Sequence, residues 1–123
     1  MKPPSCDLVN GDFVLTEAFT FETGIVTGTV GTMCNVVLSD TGKLSICPGF
    51  RWNGGSGPAV DTPSMLTASL AHDCLYALMY VGELNKKHKV SADKYFRQVL
   101  KEYGVSWFRR QYCYLAVRIF GSV

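Results

Sequence analysis

Residues 61–82 read DTPSMLTASLAHDCLYALMYVG, and this stretch decides how the second half of the chain folds. Asp61 or Thr62 can cap a helix, because the side-chain oxygen of either residue can accept a hydrogen bond from an unpaired backbone N–H. Pro63 suits the first helical turn, where its missing N–H costs nothing. Gly82 is typical of the position just after a helix. The stretch therefore predicts one long helix that begins at Pro63 and stops at Gly82.

The chain before this helix has the patterns of β-structure. Residues 13–21 alternate apolar and other side chains and predict a half-buried strand. The apolar members of that strand are Phe13, Leu15, Phe19 and Phe21. Two further apolar runs, residues 36–38 and 44–46, flank Asp40-Thr41-Gly42, which is a hairpin-type turn signal. We therefore expect a small β-rich part at the N-terminal end.

A second helix is predicted after the first. Ser91 can serve as its cap, Asp93 would lie in its first turn, and Gly104 would end it. Its apolar residues recur at helical spacing and are Ala92, Phe96, Val99, Leu100 and Tyr103.

A third helix is predicted from Ser106 through Phe120, with Gly121 as its terminator. Its apolar stripe consists of Phe108, Tyr112, Leu115 and Ile119. The fold class is thus α+β, in a single domain of residues 1–123. Its parts are a β-rich segment (1–48), a glycine-rich loop (49–62) and three helices (63–121).

Composition limits the possible classes of protein. The chain has 123 residues, of which 47% are hydrophobic and 18% charged, which is typical of a globular domain and argues against disorder. No apolar run reaches the ~18 residues of a membrane span, and the N-terminal residues lack the apolar stretch of a secretion signal. We therefore expect no transmembrane segment and no Sec-type export.

The cysteines indicate a reducing environment. They are odd in number and form no C-x-x-C pair, so neither a disulfide framework nor a structural zinc site is expected. All five are interpreted as small buried hydrophobic residues: Cys6, Cys34, Cys47, Cys74 and Cys113.

Charge is distributed unevenly along the chain. Residues 1–85 carry three basic and eight acidic side chains, whereas residues 86–123 carry nine basic and two acidic ones. A basic segment of this kind indicates either a surface that meets phosphates, of lipid head groups or of nucleic acid, or simply a solvated helical face.

The adjacent polar residues His72 and Asp73 have two possible interpretations, one structural and one catalytic. They can be a core histidine with a satisfied hydrogen bond and a surface aspartate. Alternatively, His72 is a general base, which needs an acceptor such as Asp93 to hold its second nitrogen. In that reading Asp73 and backbone carbonyls of the glycine-rich loop supply the oxygen ligands that Ca²⁺ prefers. Asp93 also has a simpler explanation, because an acidic residue near a helix N-terminus is favoured by the helix dipole.

The loop and helix motifs resemble a known superfamily. Residues 55–61 (GSGPAVD) and 72–76 (HDCLY) are similar to the calcium loop and H-D-x-x-Y helix of the phospholipase A2 superfamily. The separation of His72 and Asp93, 21 residues, resembles the spacing in the bacterial and parvovirus-capsid members of this superfamily. The resemblance implies that His72 activates water, that Asp93 with help from Tyr76 orients His72, and that Asp73 binds Ca²⁺. It also implies that further metal ligands are loop carbonyls, namely those of Phe50, Trp52 and Gly54.

A second resemblance spans more of the chain. Its pattern consists of Gly49-Phe50, Asn53-Gly54-Gly55-Ser56, Ala71-His72-Asp73-x-Leu75-Tyr76, Ala92-Asp93-x-x-Phe96 and Tyr114-x-Ala116-Val117-Arg118-x-Phe120-Gly121. This pattern is similar to a family of small phage and prophage proteins of unassigned function. The resemblance implies a protein of the bacterial host cytoplasm or of a virion. Trp52 stands where the calcium loop of phospholipases has a glycine, and Asn53 where the phage family has an aspartate.

Three functions remain open at this point. The first is a phage-encoded, calcium-dependent carboxylic ester hydrolase of phospholipase A2 type that acts at an anionic phospholipid surface, with aromatic residues such as Trp107 or Phe108 entering the interface. The second is a catalytically inactive virion or host-interaction module, motivated by Trp52 and Asn53, that binds a virion or host protein. The third is a nucleic-acid-binding protein, motivated by the basic segment alone.

Overall fold

The computed structural model describes residues 2–27, 31–33, 35–53 and 62–122. Over these ranges the chain has the expected α+β fold, with short antiparallel strands followed by three helices. The strands are β1 (Cys6–Val9), β2 (Asp12–Leu15), β3 (Phe19–Glu22), β4 (Gly31–Met33), β5 (Val36–Leu38), β6 (Lys43–Ile46) and β7 (Arg51–Trp52). The helices are α1 (Pro63–Tyr80), α2 (Lys89–Glu102) and α3 (Trp107–Phe120).

The strands form two small sheets. One has the order β1-β2-β7 and the other the order β3-β6-β5-β4. The predicted hairpin is confirmed, since β5 and β6 pair with Val36 opposite Ile46. The short β7 lies within residues 49–62, which the sequence had indicated as loop throughout. Because β7 pairs with β2 and also contacts α1, it connects the first sheet to the helices.

The prediction of one strand over residues 13–21 is wrong. These residues form two strands, β2 and β3, that belong to different sheets. The chain leaves the first sheet after Leu15, whose N–H donates to the carbonyl of Phe50 and whose carbonyl accepts from Gly49. Leu15 and Phe21 are both buried, so the alternation of apolar residues did indicate burial correctly although the strand is interrupted.

Helix α1 agrees with the prediction from its sequence. Thr62 is the cap, and its side-chain oxygen accepts a 3.2 Å hydrogen bond from the N–H of Met65. The helix ends before Gly82, which has a φ of +85°. The other proposed cap, Asp61, lies outside the described residues. Most of α1 is buried, and the buried set includes the polar residue His72.

Helix α2 begins earlier than predicted, and Ser91 is not its cap. A short 3₁₀ turn, Lys86–His88, runs directly into α2 at Lys89. The side chain of Asn85 caps this turn by accepting from the N–H of Lys87 at 2.9 Å. Asp93 consequently lies in the second turn and is fully buried, so a favourable helix dipole does not explain it. Four of the five predicted apolar residues are buried as expected, and Tyr103 is half-buried.

Helix α3 has the predicted extent, but its apolar stripe points away from the core. All four members of the stripe are more than half exposed, and so are Trp107 and Phe120. Cys113 is the buried residue of this helix. We call the exposed set the α3 apolar face: Trp107, Phe108, Tyr112, Leu115, Ile119 and Phe120.

The described cysteines are all free thiols, but they are not all buried. Cys74 and Cys113 are buried as expected, whereas Cys6 is half-buried and Cys47 is exposed. Cys34 lies outside the described residues. In the described parts of the chain, no helix is both long and apolar enough to cross a membrane.

Candidate active site

Two helices bring a histidine and an aspartate together in the interior. His72 lies in the middle of α1 and is 7% exposed, and its ring packs against Tyr76 and Phe96 at centroid distances of 4.0 and 5.1 Å. Asp93 on α2 is fully buried, with its Oδ1 atom 2.7 Å from Nε2 of His72. Two residues that lie 21 positions apart in the sequence are thus in direct contact.

The Asp93 carboxylate uses both of its oxygens. Oδ1 accepts hydrogen bonds from His72 and from the hydroxyl of Tyr76, the latter at 2.5 Å. Oδ2 accepts from Nη1 of Arg118 at 2.7 Å and from Nζ of Lys89 at 3.2 Å. Burial alone would raise the pKa of Asp93, but the hydrogen bonds from His72, Tyr76 and Arg118 outweigh it and hold the pKa at about 2. Asp93 is therefore ionised at neutral pH.

The ionised carboxylate defines the tautomer of the imidazole. Because Asp93 can only accept, a neutral His72 carries its proton on Nε2 and its lone pair on Nδ1. Nδ1 lies 4.0 Å from Oδ1 of Asp73, the next residue on α1. This is the arrangement that a general base requires, with one nitrogen held by a carboxylate and the other available to take a proton.

Tyr76 lies one turn after His72 and connects the site to the end of α3. Its hydroxyl donates to Asp93, and both burial and this hydrogen bond raise its pKa above the usual value, so the phenol stays protonated. Gly121 lies against its ring, because a Cβ atom on Gly121 would be 2.6 Å from the Tyr76 hydroxyl oxygen and 2.4 Å from the carbonyl of Val117. The φ of Gly121 is −67°, which any residue can adopt, so lack of space is the reason for glycine there.

Asp73 lies beside the buried pair at the edge of a shallow groove of about 290 Å³. The groove runs along one face of α1, and its lining consists of Asp73, Tyr76, Ala77, Tyr80, Val81 and Ser122. Burial raises the pKa of Asp73 to about 6, and the neighbouring His72 only partly opposes this. Within the described ranges no Lys or Arg pairs with this carboxylate. Asp73 is therefore a partly buried carboxylate whose charge no Lys or Arg of the described residues balances.

The proposed loop ligands are in three different situations. The carbonyl of Phe50 accepts a 2.9 Å hydrogen bond from the N–H of Leu15, so part of its acceptor capacity is used. Trp52 is buried in β7, and its indole Nε1 has no hydrogen-bond partner among the described residues. Gly54 lies outside the described residues. The described parts of the chain hold no cluster of three or more metal-ligating side chains.

Sequence reasoning missed two cations of this site. Lys89 and Arg118 both contact Oδ2 of Asp93, from α2 and α3 respectively. Lys89 precedes Asp93 by four residues on one helix, a spacing that brings side chains together and was a usable signal. No spacing rule connects Arg118 with Asp93, since they lie 25 residues apart on different helices. The one available signal was the place of Arg118 in the Tyr114–Gly121 pattern.

The comparisons with known proteins bear on the same residues. Residues 48–117 match the family described as Protein of unknown function (DUF1353). This range begins before the glycine-rich loop and includes His72, Asp73, Tyr76 and Asp93. Neither the comparison with curated proteins nor that with solved structures found a match. Because the matched range covers more than half of its 123 residues, the chain belongs to the family DUF1353, a family of proteins of unknown function.

Proposed function

We propose that this protein is a calcium-dependent lipid ester hydrolase of phospholipase A2 type, encoded by a phage, in which His72 activates the attacking water. The observation that carries the proposal is the 2.7 Å hydrogen bond from Nε2 of His72 to the ionised Asp93, which leaves the lone pair of Nδ1 for a water proton. Nδ1 lies 4.0 Å from Asp73, which borders the groove. The resemblance of the HDCLY segment to phospholipases supports the same assignment.

The reaction needs no covalent enzyme intermediate. His72 takes a proton from water at Nδ1 as the water oxygen attacks the ester carbonyl carbon, and the resulting imidazolium is stabilised by Asp93. Nδ1 then returns the proton to the leaving alkoxide as the carbon–oxygen bond breaks. The products are a carboxylic acid and an alcohol. Tyr76 holds Oδ1 of Asp93 in place, and it lines the groove on its other side.

Asp73 is the proposed side-chain ligand of Ca²⁺. Its fit rests on the unbalanced charge of this partly buried carboxylate, which a cation would offset. The calcium loop implied by the resemblance would add backbone carbonyls, for which Gly54 and, with its remaining acceptor capacity, Phe50 are candidates, together with Trp52. A bound Ca²⁺ ion supplies charge stabilisation for the oxyanion that develops on the ester carbonyl.

The proposed partner is an anionic phospholipid surface, in the host cell or reached from a virion. The α3 apolar face exposes large aromatic and aliphatic side chains along one helix, with Phe108 81% and Phe120 82% exposed. Helix α3 contains three arginines and no acidic residue. A helix with an apolar face and basic flanks is suited to lie at the interface of an anionic membrane. Ser122, two residues after α3, lines the groove, so α3 leads towards the proposed substrate site.

The direct experiment is hydrolysis of vesicles that contain anionic phospholipid, in the presence of Ca²⁺ or of EGTA. We expect release of fatty acid that requires Ca²⁺. Equal release in Ca²⁺ and EGTA would remove the metal from the proposal. No release by a folded protein under either condition would reject the hydrolase.

A non-catalytic virion or host-interaction module is the second candidate. One observation favours it: Asp93 is saturated by four protein groups, as carboxylates of purely structural ion networks are. In that case His72→Ala and Asp73→Ala would alter stability but not phage growth. Loss of the phage phenotype with both folded variants would favour the hydrolase.

A further inference from the structure

We infer that Arg118 and Lys89 are positioning residues for the His72–Asp93 pair, and that the last turn of α3 is thereby part of the site. The inference rests on the proposed function for its catalytic consequence, but the geometry that it concerns can be measured without activity. It assigns a role to Arg118 and Lys89, which the hydrolase proposal leaves unused.

The two cations fix the orientation of the carboxylate. Arg118 and Lys89 both donate to Oδ2 of Asp93, at 2.7 and 3.2 Å. Because Oδ2 is held in this way, Oδ1 is directed at His72. Rotation of the carboxyl group, which would exchange the two oxygens, is thereby opposed. A charge-assisted hydrogen bond is shorter and stronger than a neutral one, so this anchoring is effective in a buried site. Arg118 therefore acts on His72 through Asp93.

Lys89 also fastens the end of α3. Its Nζ lies 3.5 Å from the carbonyl oxygen of Val117 and 3.4 Å from that of Arg118. The carbonyl of Val117 also accepts from the N–H of Gly121. Carbonyls in the last turn of a helix carry the negative end of its dipole, so an ammonium group there is favourable. One lysine thus binds both the carboxylate of the site and the helix end that presents Arg118.

Charge balance gives the arrangement a further consequence. The buried cluster contains one anion, Asp93, and two cations, Lys89 and Arg118, which are partly exposed. A lone buried carboxylate is strongly destabilising, whereas one paired and hydrogen-bonded on both oxygens is tolerated. The two cations therefore offset the buried charge of Asp93 without a positive charge on His72. This is the state in which Nδ1 keeps its lone pair.

A matched control exists on the same pair of helices. Arg97 on α2 donates to the side chain of Gln111 on α3 at 3.0 Å and stacks over the ring of Tyr114. It connects α2 and α3 but does not touch Asp93. Arg97→Gln therefore reports what a weaker contact between the helices does by itself, and Arg118→Gln adds the loss of the Asp93 contact.

The experiment follows the imidazole N–H signals of protein labelled with ¹⁵N-histidine. The chain has two histidines, so His88→Gln assigns the signals of His72. In the wild type we expect a protected Nε2–H signal from the hydrogen bond to Asp93. Arg118→Gln should shift or broaden this signal, and Arg118→Lys should partly restore it. Arg97→Gln should leave it unchanged, although this variant also loses a contact between α2 and α3.

Activity on vesicles is the second readout. We expect Arg118→Gln to lower kcat by ~10- to 100-fold, the range known for residues that orient a functional side chain, with little change in KM. If Arg118→Gln does not fold, Lys89→Gln decides by the same two readouts. An unchanged Nε2–H signal and unchanged kcat in the folded glutamine variants would overturn the inference. If the wild type hydrolyses nothing, the proposed function fails, and the Nε2–H signal alone decides whether Arg118 positions His72.

Discussion

His72 on α1 donates through Nε2 to Asp93 on α2 across 2.7 Å, and Asp93 is the more deeply buried of the two. An ionised carboxylate without solvent contact requires compensation, which here comes from α1, α2 and α3 together. The contact therefore depends on the packing of all three helices rather than on one local motif. It also gives the two nitrogens of His72 different roles.

The first prediction compares the two histidines of the chain. His72→Gln should lower the Ca²⁺-dependent rate of fatty-acid release by ~10²- to 10⁴-fold, the usual contribution of a general base. His88→Gln should leave this rate unchanged, because His88 lies in the 3₁₀ turn before α2 and forms none of the hydrogen bonds to Asp93. Release rates of both purified variants on anionic vesicles test this. Equal rates for His72→Gln and wild type would show that the imidazole is not the base.

The second prediction concerns metal binding at Asp73. A site with one carboxylate should bind Ca²⁺ with a Kd of ~10⁻⁴ to 10⁻³ M. At 10 mM Ca²⁺ such binding would raise the free energy of unfolding by about 1.4 to 2.7 kcal/mol. This corresponds to a rise in Tm of several degrees.

The control for the metal is another aspartate. Asp73→Asn should abolish the rise in Tm, whereas Asp40→Asn should retain it, because Asp40 is exposed in the turn between β5 and β6. Differential scanning fluorimetry with and without Ca²⁺ measures all three proteins. A wild type with no shift up to 10 mM Ca²⁺ would contradict the proposed role of Asp73.

The third prediction is a pH dependence of stability. Burial raises the pKa of Asp73 from 3.8 to about 6 in the folded protein, so the folded state binds this proton more tightly than the unfolded state. Without Ca²⁺, the contribution of Asp73 to the free energy of unfolding should therefore be favourable below pH 3.8 and decline as the pH rises through about 6. Denaturant unfolding of wild type and Asp73→Asn between pH 4 and 7 tests this, since the variant should lack that part of the slope.

The fourth prediction concerns the α3 apolar face. The double variant Phe108→Glu and Leu115→Glu should weaken binding to anionic vesicles by at least ~10-fold, because burial of one large apolar side chain contributes ~1.5 to 3 kcal/mol. The variant should keep its Tm, since both side chains are more than half exposed. Val37→Glu, at an exposed position of β5, is the control. Vesicle co-sedimentation that is equal for all three proteins would assign the face to another partner.

The fifth prediction tests the close contact of Gly121 with Tyr76. Gly121→Ala places a methyl group 2.6 Å from the Tyr76 hydroxyl oxygen and 2.4 Å from a backbone carbonyl, so either the ring or the chain must move. We expect a lower Tm and a weaker hydrogen bond from Tyr76 to Asp93, visible in the ultraviolet titration of the phenol. Ser122→Ala should change neither property. A Gly121→Ala protein with wild-type stability would show that the end of α3 adjusts freely.

Sequence patterns predicted local structure well. They predicted less well how the elements pack and which of their faces meet the core. A capping threonine and a terminal glycine defined α1, because these signals act within a few residues. The predicted extent of α3 also agrees, although Ser106 makes no side-chain capping hydrogen bond. The period-two pattern of residues 13–21 predicted burial but not the interruption after Leu15, which depends on hydrogen bonds to the distant residues Gly49 and Phe50. Helical spacing correctly grouped the apolar residues of α3 on one face. It cannot tell whether such a face meets the core or is exposed, and in α3 the face is exposed.

In the candidate site, too, local features could be predicted from the sequence and long-range contacts could not. A histidine in an apolar helix and an aspartate near the next helix start could be read from the sequence, and the resemblance to phospholipases connected them. The i, i+4 spacing on a helix could have predicted the contact of Lys89 with Asp93. The contact of Arg118 with Asp93 depends on how α3 packs. Long-range pairing of charges follows from the fold and has no local signature.

The sparse burial of α3 has a consequence for the lifetime of the site. Cys113 is its buried residue, and Val117 packs against the core while partly buried. Helix α3 thus has few buried apolar contacts and depends also on polar ones, such as those of Arg118 with Asp93 and of Arg97 with Gln111. Segments with few buried apolar contacts open at a lower free energy than the rest of a protein. Amide hydrogens of α3 should therefore exchange with solvent through a local opening that leaves α1 and the sheets intact. Each such opening removes Arg118 from Asp93, so the site exists only while α3 is docked.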